Sequence, residues 1–125
     1  KNWELTGNAW RQAREIDKAL PAMEKAASTA DTGELYVRLG NMYLDGEEFQ
    51  KAVAALNKGL RRGGVKRPDT AQLVLGMAYF NLGEYDKARK AFKQAGRDER
   101  SATYSQQWIT YMDSEIKRQQ QLEQG

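Results

Sequence analysis

The chain contains no cysteine and no histidine. Without thiols there is no disulfide, no thiolate nucleophile and no thiolate metal site, and cysteine usage gives no reading of the redox compartment. Without imidazole there is no histidine base, so Ser–His catalysis and the usual zinc ligand sets are excluded. Only two prolines occur in 125 residues, which leaves long stretches free to run as helix. No apolar run approaches the roughly 18 residues that cross a bilayer, and no signal sequence is visible. The chain opens on Lys1 rather than Met, the expectation for a piece excised from a longer protein whose leader, if it had one, is gone.

What is present is helical and charged. Hydrophobic residues make up 40% and charged residues 30%, a balance that suits one soluble domain or a short repeat array. Ala, Leu, Lys, Glu and Gln favour helix throughout. The net charge of +3 hides an uneven distribution. Residues 1–50 hold six basic and nine acidic side chains, residues 51–100 twelve and five, and residues 101–125 two and three. The middle of the chain is therefore basic and its ends mildly acidic.

The stretch Leu75 to Ala95, LGMAYFNLGEYDKARKAFKQA, spaces its small and large residues regularly: Leu75-Gly76, Tyr79, Gly83, Tyr85, Ala88, Phe92, Ala95. Moving back 36 residues finds Leu39-Gly40, Tyr43, Phe49, Ala52, Leu56 and Gly59. Moving back 33 more finds Thr6-Gly7, Trp10, Ile16, Ala19, Met23 and Ala26. The chain therefore repeats with a period near 34. Within a unit the apolar positions have helical spacing on both sides of a turn, so each unit is a helical hairpin that needs stacked neighbours to bury its face. Pro21 falls early in the second helix of the first unit, where its missing N–H costs little.

The spacing W-x2-L-G-x2-Y followed by A-x3-F resembles the tetratricopeptide repeat (TPR) signature over about 100 residues. Repeat one, about 1–32, keeps Trp3, Gly7, Trp10, Ala19, Met23 and Ala26, but Thr6 replaces Leu and Arg14 the turn Gly. Repeat two, about 33–68, departs at Gly59, where Ala is usual, and at Gly46, one residue early for the turn. Repeat three, about 69–102, matches nearly throughout. The resemblance implies an all-α fold, a TPR-type α-solenoid of three helix-turn-helix repeats, with residues 103–125 as a C-terminal capping helix and polar tail. In that tail, Tyr104, Trp108, Tyr111-Met112 and Glu115-Ile116 form an apolar stripe, read as a cap over the last open face or as partner-binding aromatics. Residues 101–122 are also similar to the ends of TPR proteins found in Gram-negative envelopes beside the TonB–ExbB–ExbD energy-transducing system. That likeness favours a bacterial periplasm, with cytoplasm as the alternative.

In this family the first helix of each hairpin lines the concave face. The matching candidates are Asn8 and Arg11, then Val37, Asn41 and Leu44, then Leu73, Met77 and Phe80, with Glu4 beside the first set. The third set makes its helix apolar almost all round, so it is either covered by the tail helix or open to an apolar peptide or helix. The Lys/Asn/Arg clamp by which some TPR proteins hold an acidic C-terminus is absent, since Glu4, Thr70 and Val74 stand where cations are needed.

A second candidate is the loop RRGGVKRP, with Arg61, Arg62, Lys66 and Arg67, read as an anion-binding site for lipid or nucleic acid or as a solvated connector. Lys87, Arg89, Lys90 and Lys93 extend this basic character, but no aromatics interleave with them, which argues against nucleic-acid stacking. Asp45-Gly46-Glu47-Glu48 and Asp98-Glu99 fall at turns, where acids cap the following helix. The sequence thus points to a non-enzymatic scaffold for a protein or peptide partner, with no metal and no cofactor. A self-assembling module and an electrostatic adaptor are the rival readings.

Overall fold

The structure, a computed structural model, describes residues 20–124. Among those residues there are six helices and no strand. Helix α1 covers 20–29, followed by α2 (Glu34–Asp45), α3 (Phe49–Arg62), α4 (Pro68–Asn81), α5 (Tyr85–Ala95) and α6 (Glu99–Gln124). The pairs α2–α3 and α4–α5 are hairpins. Asn8, Arg11 and Glu4 lie outside the described residues.

Each hairpin closes because a small residue on its first helix receives a large one from its second. A Cβ at Gly76 would lie 2.5 Å from the Phe92 ring, and one at Gly40 would strike the Leu56 side chain. Gly59, the departure from the usual Ala, has a specific cause. The backbone of Gly33 passes so close that a Cβ on Gly59 would sit 2.7 Å from the Gly33 carbonyl oxygen. The turns match as well: Glu48 N–H reaches the Tyr43 carbonyl at 2.8 Å, and Glu84 N–H that of Tyr79 at 2.9 Å. Both turns need one left-handed residue. Gly83 supplies it at φ 77°, but in the earlier hairpin Glu47 holds it at φ 60°, because Gly46 falls one position early.

Helix α4 touches α2, α3, α5 and α6, whereas α3 and α5 do not touch each other. First helices therefore line the inside of the curve and second helices the outside. The core divides accordingly into three clusters, each joining neighbouring hairpins. Ala27, Leu39, Tyr43 and Ala52 form one; Leu56, Ala71, Leu75 and Ala91 the next; Leu73, Ala88, Phe92 and Met112 the last. Apolar burial here is a nearest-neighbour property, as expected of a solenoid.

Helix α6 begins at Glu99, so the last residues assigned by sequence to repeat three belong to its first turn. Asp98 caps it, accepting the Arg100 backbone N–H at 2.9 Å. Its packed stripe is Ser101, Ser105, Trp108, Ile109, Met112 and Ile116. This corrects the expected stripe by part of a turn: Tyr104 and Tyr111 are 59% and 52% exposed. The small serines lie where α6 comes close to the preceding hairpin, with the Ser105 hydroxyl donating to the Phe92 carbonyl.

Candidate functional site

The inner face is built by α2, α4 and α6. Val37 and Leu73 are equivalent positions 36 residues apart. Val37 packs into the cluster of Leu56, Ala71 and Leu75, and buried Leu73 packs into the cluster holding Met112. Both take part in packing between neighbouring hairpins, Leu73 buried and Val37 half-buried. The reason is that each first helix leans on the next first helix along the stack. Asn41 remains exposed and Leu44 half-buried.

Met77 and Phe80 are half-buried against α6. The Phe80 ring sits 5.7 Å from Tyr85, 6.2 Å from Trp108 and 5.7 Å from Tyr111, all tilted or edge-on, the geometry that aromatic quadrupoles favour. Trp108 in turn stacks on buried Phe92 at 5.5 Å with 10° between planes. So the tail helix does pack over part of this face, and it brings its own aromatics. A shallow cavity of about 310 Å³ opens beside Gln107, Trp108 and Tyr111. Phe80 and Tyr111 are neighbours on this face, and exposed Gln107 stands at the edge of the cavity.

The cations of the basic loop point to different partners. The Arg62 guanidinium donates to the carbonyls of Ala27 and Ala30, the second at 3.2 Å, and lies 5.0 Å from the Tyr36 ring centre. It closes the end of α1. Arg67 makes a two-pronged pair with Asp69 at 2.9 and 2.7 Å. The Lys66 backbone N–H donates to Glu34 at 2.9 Å, which ties the loop down without using its ammonium. Arg61 stays exposed. Two of the four cations are thus structural, and the loop is no cluster of four free charges.

Asp69, which sequence reasoning passed over, is the most constrained charge among the described residues. It is 4% exposed, at the first turn of α4, and accepts from Arg67 and from the Ser101 hydroxyl at 2.6 Å. Arg67 first, then Ser101, hold its carboxyl far below the usual carboxylate range, against the opposing effect of burial. One buried carboxylate therefore ties the loop, α4 and α6 together. A signal existed: Asp69 opens the repeat, with an Arg two residues before it. Its partner on α6 lay 32 residues away and could not be anticipated.

Among the described residues no cluster of three or more acidic side chains is placed to hold a metal ion, and no helix is long and apolar enough to cross a membrane. The Asp45–Glu48 acids do not cap α3 through their side chains.

The tetratricopeptide repeat family model matches residues 37–102, more than half of the chain. The chain belongs to the tetratricopeptide repeat family, whose repeats generally mediate protein–protein interaction and are typically non-catalytic. Comparison with curated proteins finds no match, so the likeness of residues 101–122 to envelope proteins rests on that resemblance alone.

Proposed function

We propose that this chain is a protein-interaction module that receives an apolar segment of a partner protein on its inner face. Leu44, Met77, Phe80 and Tyr111 supply the contact surface, and Asn41 and Gln107 orient the segment from the edges. Asn8 and Arg11 belong to the same reading through the first repeat. The supporting observation is the contiguity of half-exposed Phe80 with exposed Tyr111, a rigid aromatic pair of the kind that anchors interfaces.

Peptide display against the folded chain tests this reading. Selected peptides are expected to carry apolar or aromatic anchors and to lose roughly tenfold or more in affinity on Tyr111→Ser. Peptides that ignore both Tyr111→Ser and Met77→Glu would move the site elsewhere. A second copy of the chain is the other occupant this surface favours, since the exposed large apolar residues Tyr104, Tyr111 and Leu122 all lie on α6. Light scattering separates the two: a mass that rises with concentration and falls back on Tyr111→Ser marks self-association.

A further inference from the structure

Two clefts lie on the outer side of the stack, between successive second helices. The first has a volume of about 350 Å³, and the second about 440 Å³. They are the same cleft built twice. Leu39, Tyr43, Lys51 and Ala55 of the first become Leu75, Tyr79, Lys87 and Ala91 of the second, each 36 residues on. In both, the tyrosine is fixed by the preceding second helix: Tyr43 donates to Glu24, and Tyr79 accepts from Asn57 at 3.2 Å. In both, a lysine ammonium lies over that ring, Lys51 at 5.9 Å and Lys87 at 5.8 Å. Each cleft has a second lysine, from a different position: Lys58 in the first, where the second has Gln94, and Lys90 in the second, where the first has Ala54.

The charge balance is one-sided. Among the described residues Glu24 is the single carboxylate lining the first cleft, and it is already engaged by Tyr43. Among the described residues no carboxylate lines the second. Glu48 and Glu84 approach Lys51 and Lys87 only as exposed 3.4 Å pairs, which screen little. The floors are leucine, alanine and tyrosine. Burial first, then Glu24, pushes the Tyr43 hydroxyl up to about 12, so this floor is uncharged at neutral pH.

We propose that these tandem clefts dock an acidic, extended segment of a partner protein. Each cleft takes one apolar side chain, and the lysine pairs Lys51/Lys58 and Lys87/Lys90 hold the carboxylates beside it. The proposal is independent of the inner-face reading. Nucleic acid fits less well, because a lysine ammonium already lies over each tyrosine ring, where a base would have to stack. Discrete clefts, one per repeat, suit a peptide better than a membrane. Since α4 separates α3 from α5, neighbouring clefts lie more than one helix spacing of roughly 8–10 Å apart. Extended chain covers about 3.3 Å per residue, so the two anchors fall at least about three residues apart.

The test is fluorescence anisotropy with a labelled glutamate-rich peptide carrying leucines about four residues apart. Lys58→Glu and Lys90→Glu are the variants, since both side chains are exposed and neither fills the core. Far-UV circular dichroism and a melting curve check that each variant folds. The peptide is expected to bind, to weaken as salt rises, and to lose roughly tenfold or more in affinity with either substitution and further with both. Three results would overturn the proposal: no binding at low salt, indifference to the substitutions, or tighter binding of a single-stranded oligonucleotide or phosphatidylserine vesicles. Loss with only one of the two substitutions would overturn the tandem arrangement.

Discussion

The hairpins α2–α3 and α4–α5 are one design executed with different residues. Gly40 under Leu56 corresponds to Gly76 under Phe92, and Tyr43 with Lys51 to Tyr79 with Lys87. On the inner face the equivalence fails: Asn41 and Leu44 are answered by Met77 and Phe80. The positions that hold helices together are repeated because the packing geometry is repeated. Inner-face positions are free to follow what lies across from them, and for α4 that is the aromatic side of α6. On the inner face, the residues that break the repeat are therefore the informative ones.

The comparison can be broken hardest at the hairpin interiors. Phe92→Ala removes a fully buried ring that also stacks on Trp108, and is expected to cost about 3–5 kcal/mol in chemical denaturation. It should also loosen α6, visible as a red shift of Trp108 fluorescence in a chain carrying Trp3→Phe and Trp10→Phe, which Leu56→Ala in the earlier hairpin should not cause.

Next comes Asp69→Asn, at the position where the earlier hairpin has Gly33. Loss of hydrogen bonds to a charged, buried group is expected to cost about 1.5–3 kcal/mol. Because the Asp69 pKa is depressed by folding, its contribution is complete above the ordinary carboxylate pKa of about 4 and fades as pH falls below it. The stability gap between wild type and Asp69→Asn should thus narrow below about pH 4. A gap that stays constant down to low pH would remove Asp69 from its role as the tie.

The turns offer the smallest and sharpest contrast. Gly83→Ala forces a side chain into a left-handed conformation and should cost about 1 kcal/mol. Glu47→Gly relieves the same strain in the other hairpin and should stabilise by about 0.5–1 kcal/mol. Equal signs for the two substitutions would contradict the account of these turns.

Much of this was legible in the sequence. Gly40, Gly76, Tyr79, Ala88 and Phe92 announce the hairpins because packing leaves a periodic mark. Close approach was harder to read, since it calls for small residues that carry no hydrophobic signal. Ser101 and Ser105 are buried while the conspicuous Tyr104 and Tyr111 face out. Ser105 stands 34 residues after buried Ala71, so carrying the repeat one unit further would have set the phase of α6. The basic loop was hard to read for another reason. Counting charges cannot show that Arg62 faces carbonyls at the end of α1, or that Arg67 faces a buried carboxylate.

The most direct test of the inner-face proposal uses the four methionines as reporters. Met112 is fully buried and Met77 half-buried on the inner face, with Met23 and Met42 in the earlier part of the stack. In a chain labelled at its methionine methyls, a display-selected apolar peptide should shift the Met77 signal most and leave Met23 nearly unmoved. Saturable binding that shifts Met23 and spares Met77 would contradict the account.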